Sequence, residues 1–169
     1  MGIARNTQQL VFDPSKAPNN IGRGTHGYNG RSWGKIYTNS IPFVMFSDTK
    51  DLYSNDWHDE HGLEEYADET NGLMRKHYDM DVKWIYKGSR DSANTNIKGF
   101  LDYLSGADGL GVWFRLYCDW TKIGRRHVRL VKVDNDAEFV RKDNYDIVVF
   151  KTTLRVCDPV TEVTLSNGV

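Results

Sequence analysis

A few local patterns in the sequence carry the residue types that chemistry requires. His58-Asp59-Glu60-His61 places two imidazoles and two carboxylates within four positions, and on a helix His58 and His61 would share a face able to hold a metal ion. Gly62 follows at once and the composition is that of a turn, with only His26, His77 and His127 left elsewhere to complete a ligand set. The segment therefore reads as a solvated acidic loop, with at most a weakly held cation on oxygen ligands. Gly22-Arg23-Gly24-Thr25-His26-Gly27 has the spacing of the dinucleotide fingerprint. That motif works when a strand feeds the first glycine and a helix opens at the last, so that helix N–H groups meet the pyrophosphate. Asn19-Asn20 and Tyr28-Asn29-Gly30 flank it here, supply neither element, and exclude the nucleotide site. Cys118 and Cys157 fall on or at the end of apolar strands, where free thiols serve as packing residues. No serine lies in a Gly-x-Ser-x-Gly turn. Carboxylate pairs occur only in the acidic loop, with no apolar run beside them to raise one pKa. The sequence predicts no enzyme, no cofactor and no metal.

The elements that would position any site follow from periodicity. Residues 1–35 hold Pro14, Pro18 and five glycines between 22 and 34, interrupted by His26, Tyr28 and Trp33, and keep no period of 2 or 3.6. They read as an extended Gly/Asn-rich arm able to carry aromatics onto a neighbouring surface. Residues 36–169 read as a single domain. Its first strand is expected over 35–46, with Pro42 at an edge or break. The strand over 77–87 alternates Tyr78, Met80, Val82, Trp84 and Tyr86 with His77, Asp79, Asp81 and Lys83. A helix over about 92–105 aligns Ala93, Ile97, Phe100, Leu101 and Leu104, with Asp91 or Ser92 to start it and Gly106 to end it. Further strands are predicted over 111–118, 126–134 and 145–157, the last stopped by Asp158-Pro159. The expected class is α+β, mainly β: a sandwich with one flanking helix.

The chain has 169 residues, 22 Lys+Arg and 23 Asp+Glu, a balance that argues against a dedicated nucleic-acid binder. No apolar run is long enough to cross a membrane, and the first residues lack the apolar centre of a signal peptide. With two cysteines, the expectation is a soluble domain made in a reducing compartment. The charge is nonetheless segregated. Residues 51–74 carry Asp51, Asp56, Asp59, Glu60, Glu64, Glu65, Asp68 and Glu69 with no Lys or Arg, a local charge of −8. Residues 115–132 carry Arg115, Lys122, Arg125, Arg126, Arg129 and Lys132 against Asp119, a local charge of +5. The segments can pair within one subunit, join one copy head-to-tail to the next, or remain two solvated faces. Trp120 among the cations also allows brief contact with single-stranded nucleic acid.

The order of motifs resembles a known family. Asn55-Asp56-Trp57-His58-Asp59-Glu60-His61-Gly62 leads into the strand from Tyr78 and the helix Asn96-Ile97-Lys98-Gly99-Phe100-Leu101-Asp102-Tyr103-Leu104. The strand from Val112, a basic hairpin and a closing strand ending Asp158-Pro159-Val160-Thr161 follow. Over residues 36–165 this is similar to the tail-tube fold of long-tailed bacteriophages, which includes the ring domain of distal-tail proteins, tail-tube subunits and tail terminators. The resemblance implies a tail-tube-type β-sandwich and a structural virion protein, assembled in the bacterial host cytoplasm. It implies a homo-oligomer, a hexameric ring, around the channel for tape measure and genome, with neighbouring tail proteins above and below. Distal-tail proteins often carry a second, carbohydrate-binding-like domain, for which 169 residues leave no room.

The interface expected from these readings uses Asp56, Asp59, Glu60, Glu64, Glu65, Asp68 and Glu69 against Lys122, Arg125, Arg126, Arg129 and Lys132, with Tyr28 and Trp33 from the arm. The alternative from another class is a monomeric β-sandwich that binds glycan or protein through Trp33, Trp57, Trp113 and Trp120.

Overall fold

The computed structural model describes residues 10–12, 25–26, 32–33, 35–38, 42–59, 61–109, 111–118 and 120–164. In chain order the elements are β1 (Leu10–Phe12), β2 (Thr25–His26), β3 (Ser32–Trp33), β4 (Ile36–Thr38), β5 (Tyr53–Asn55), β6 (Glu64–Tyr66), β7 (Tyr78–Ser89), α1 (Ala93–Ser105), β8 (Phe114–Cys118), β9 (Gly124–Val133), β10 (Glu138–Lys142) and β11 (Tyr145–Val156).

Strands β7 and β11 form the spine, antiparallel and in register from Tyr78↔Val156 to Ser89↔Tyr145. Period-2 alternation sends Met80, Val82, Trp84 and Tyr86 of β7 inward, facing Leu154, Thr152, Phe150 and Val148 of β11. On the far side of β11, β9 pairs with its C-terminal half and β10 with its N-terminal half, so the two lie end to end along one strand. The sheet continues from β9 through β8 to β1, β2 and β3, and from β7 to β4. Every pairing is antiparallel except β1 with β2. The fold is α+β and mainly β, a curled, sandwich-like sheet with one helix against it.

Helix α1 covers the inner face. Phe100 is fully buried and meets Trp84 and Phe150 edge-on, at centroid distances of 5.0 and 6.4 Å. Tyr103 packs on Phe114, and Ile97 and Leu101 flank the core half-buried. Ser92 holds the N-cap position, but its side chain makes no capping bond. Its hydroxyl instead donates to the Ser89 carbonyl at 2.7 Å and meets the Tyr86 hydroxyl at 3.0 Å. The Asn96 amide donates to the same Tyr86 oxygen at 3.1 Å. These bonds tie the helix start to β7. Gly106 ends the helix in the left-handed region, φ 77°, as its type predicts.

Two sequence expectations need correction. Of the strand expected over 35–46, the described residues form strand at Ile36–Thr38, residues 39–41 lie outside the described residues, and Val44, Met45 and Phe46 are exposed in a loop. The apolar run Phe43 to Phe46 suggests a strand, but Pro42 precedes it and no strand among the described residues pairs with it. Cys157, read as a packing thiol, is exposed one residue beyond β11, whereas Cys118 is buried as expected. Strand β10 had no sequence expectation, because all five of its residues are exposed and give no burial period.

Candidate interaction surfaces

An open surface depression of about 420 Å³ is lined by Arg90, Arg141, Lys142 and Asp143. Its central cation is already engaged: Arg141 donates to Asp146 at 2.9 Å and to Asp91 at 2.8 Å. The guanidinium and the Asp91 backbone N–H hold the Asp146 carboxyl below the ordinary carboxylate range. The cluster locks the β10–β11 hairpin to the turn before α1 and serves structure. No group of His, Cys, Asp or Glu among the described residues could hold a metal ion, and His58 and His61 are both exposed. No described helix is long and apolar enough to cross a membrane.

What the molecule presents instead is unpartnered surface, of two kinds. The first is sheet edge. Pairing of β8 with β9 stops at Val128, and β10 pairs only with β11 among the described residues. The outer side of 129–142 is therefore an open edge, kept in line by the Asp134 N–H donating to the Lys151 carbonyl at 3.0 Å. Val131, Val133, Phe139 and Val140 are exposed along it, Phe139 by 72%. On the opposite side, β4 covers only Trp84–Tyr86 of β7, leaving 78–82 without a strand partner among the described residues. Unpaired N–H and C=O groups beside exposed apolar side chains are templates for pairing with another chain.

The second is the acidic segment. The chain leaves the domain through a bridge between Thr49 and Arg75, flanked by bonds from the Lys50 N–H to Met74 and the Lys76 N–H to Asp48, both 2.6 Å. Beyond it, β5 and β6 pair only with each other among the described residues. The hairpin exposes Tyr53, Trp57, Leu63, Tyr66, Leu73 and Met74. The Tyr53 and Tyr66 rings meet at a tilt of 43° with centroids 5.6 Å apart, and the Trp57 indole donates to Glu64 at 3.0 Å. Asp51 pairs with Lys76, while Asp68 accepts from the Asn71 side chain and from the N–H groups of Asn71 and Thr70, which hold its carboxyl below the usual range. Asp56, Asp59, Glu65 and Glu69 are exposed.

The basic segment is arranged differently from the sequence expectation. Arg125 is only 3% exposed, so it offers no charge to a partner surface. It donates to the carbonyls of Gly124 at 3.1 Å and Val44 at 3.4 Å, pinning the 42–48 loop to β9. Its Nε and the Ser47 hydroxyl are the unpartnered buried side-chain polar atoms among the described residues. Arg126 pairs with Asp158 within the chain. Burial alone would raise the Asp158 carboxyl, but the Thr161 and Val160 N–H groups, the Thr161 hydroxyl and Arg126 outweigh it and hold it far below the carboxylate range. Lys132 pairs with Asp134 at 3.3 Å, Arg129 is half-buried, and Lys122 sits exposed in the β8–β9 turn at φ 59°. A one-residue bulge in β9, with His127 at φ 52° beneath Trp113, turns Arg126 outward. Glu60, Asp119 and Tyr28 lie outside the described residues; Trp33 is placed on β3.

The sequence pointed to the acidic segment and missed the open edge. Edge position depends on which strands pair, and the one signal available was the exposed Phe139-Val140 pair between charged neighbours. Comparison of the chain with protein-family models, with curated proteins and with solved structures finds no match.

Proposed function

We propose that this protein is a structural subunit that assembles with copies of itself into a ring, hexameric and part of a bacteriophage tail. The observation that carries self-assembly is the open edge over 129–142, with Val131, Val133, Phe139 and Val140 exposed on a sheet whose other side is also incompletely paired. Two different edges on one subunit make a heterologous contact, and a heterologous contact whose rotation closes gives a ring. The tail assignment rests on the motif order described above, in which strand, helix, strand, basic hairpin and closing strand run in the order of the tail-tube fold.

The test is native mass by light scattering on the intact chain, with imaging of any large species. A discrete multimer with a central hole is expected, and Phe139→Lys with Val140→Lys should dissociate it, since charge on an edge blocks strand addition. A monomer at every protein concentration and salt would refute the reading and favour a glycan- or protein-binding module. That module would use the exposed Trp57, Trp113 and Trp120, and its fluorescence would respond to ligand.

A further inference from the structure

The face of the sheet opposite α1 carries a feature that costs stability in a lone subunit. Lys83 of β7 stands directly across from Lys151 of β11, both are exposed, and neither has an ion-pair partner among the described residues. Like charges placed opposite each other on neighbouring strands repel. Elsewhere on the same face the pairs are matched: Asp79 accepts two bonds from Arg155, and Asp81 accepts one from Thr153. Beside the lysine pair, Tyr37, Ile85 and Val149 make a half-buried strip across β4, β7 and β11, with Lys87 on its far side. The strip thus lies between cations along the strands, Lys83 and Lys151 on one side and Lys87 on the other, with Asp81 beyond the lysine pair and Glu138 of β10 next to Val149 at its end.

The hairpin over 50–75 has the converse character. Tyr53, Tyr66 and Glu64 share one side of it, since Tyr53 pairs with Tyr66 and Asn55 with Glu64. Trp57 joins that side through its bond to Glu64. Three register pairs of hairpin, with no other strand beside them, do not bury enough apolar surface to be stable alone in water. The hairpin therefore needs a surface that takes aromatic rings and offers cations.

We infer that the acidic hairpin of one copy docks on the lysine-flanked sheet face of a second copy, with Tyr53, Trp57 and Tyr66 on the apolar strip and the carboxylates of Asp56 and Glu64 against Lys83 and Lys151. This rests on the self-assembly proposed above and names a contact additional to the sheet edge. The charge signs set the partner: one Lys83–Lys151 pair repels another and one hairpin repels another, whereas the hairpin and the lysine pair attract, so the contact is head-to-tail.

The experiment uses two full-length variants, one Lys83→Glu with Lys151→Glu, the other Asp56→Lys with Glu64→Lys. All four side chains are exposed, and circular dichroism checks that both variants fold. In sedimentation at low salt, each variant alone should associate about tenfold or more weakly than the parent. Mixing them in equal amounts should restore association, because each then meets its complement. Unchanged association of either variant, or failure of the mixture to recover, overturns the docking. If the edge substitutions at Phe139 and Val140 dissociate the assembly while these reversals do nothing, ring formation stands and the hairpin contact falls. A parent chain that never associates removes both.

Discussion

Gly88 offers a test of how the core and the helix start are joined. A Cβ added there would lie 2.1 Å from the Tyr86 hydroxyl and 2.5 Å from its ring carbon Cζ, with the Lys35 chain at 3.0 Å. Tyr86 is fully buried, so its ring cannot swing into solvent. Gly88→Ala must therefore push the ring end away, at about 1–3 kcal/mol for overpacking. It would also break the hydroxyl's bonds to Ser92 and Asn96, about 0.5–1.5 kcal/mol each. Alanine in a strand returns about 0.5–1 kcal/mol of backbone entropy, so the net expectation is a loss of about 1–5 kcal/mol. Urea denaturation followed by circular dichroism reads it as a lower midpoint at unchanged m. The steric origin is checked in a Tyr86→Leu background, where the ring end is gone and Gly88→Ala should cost under about 0.5 kcal/mol. Neutrality in the parent, or an equal cost in both backgrounds, would refute the reasoning.

Other expectations follow from the same contacts. Asp79, Asp146 and Asp158 all have carboxyls held below their unfolded value near 3.9. The stability they contribute is complete above that value and drains away as pH falls through the lower folded values. The urea midpoint should therefore fall progressively from about pH 4 downward, and Asp158→Asn should lower it at pH 7 and flatten that fall. Arg125→Glu would place a buried anion against the Gly124 and Val44 carbonyls and should cost about 3–5 kcal/mol, whereas Arg125→Met should be much milder; equal losses in thermal denaturation would disprove the electrostatic account. A thiol reagent should label Cys157 at once and Cys118 only on unfolding, and two fast thiols would contradict the burial of Cys118.

How much of this was legible in advance varied with the kind of information each element carries. Tyr78–Ser89, Ala93–Ser105 and Tyr145–Val156 were readable because each buries one side, and burial imprints a period of 2 or 3.6 on residue type. β10 has no buried side and so no period. The run Phe43 to Phe46 has apolar residues but no strand to meet, and three of the four end in solvent. Among the residues expected at an interface, sequence shows which are acidic and which basic but cannot say which bases remain available. Arg125 and Arg126 are adjacent in the chain, yet one is sealed under the 42–48 loop and the other is turned out by the β9 bulge to meet Asp158.

By itself the sequence determined the class of the fold, the inward face of the strand from Tyr78, the limits of its helix and the segregation of charge. Each is written in local periodicity or composition, where nearest neighbours decide. Only the tertiary structure decided that β9 and β10 lie end to end along β11, that the edge beyond them is unpaired among the described residues, and that Lys83 faces Lys151 across two strands 68 positions apart. Register and edge position depend on which distant segments pair, and no residue type specifies its partner across the sheet.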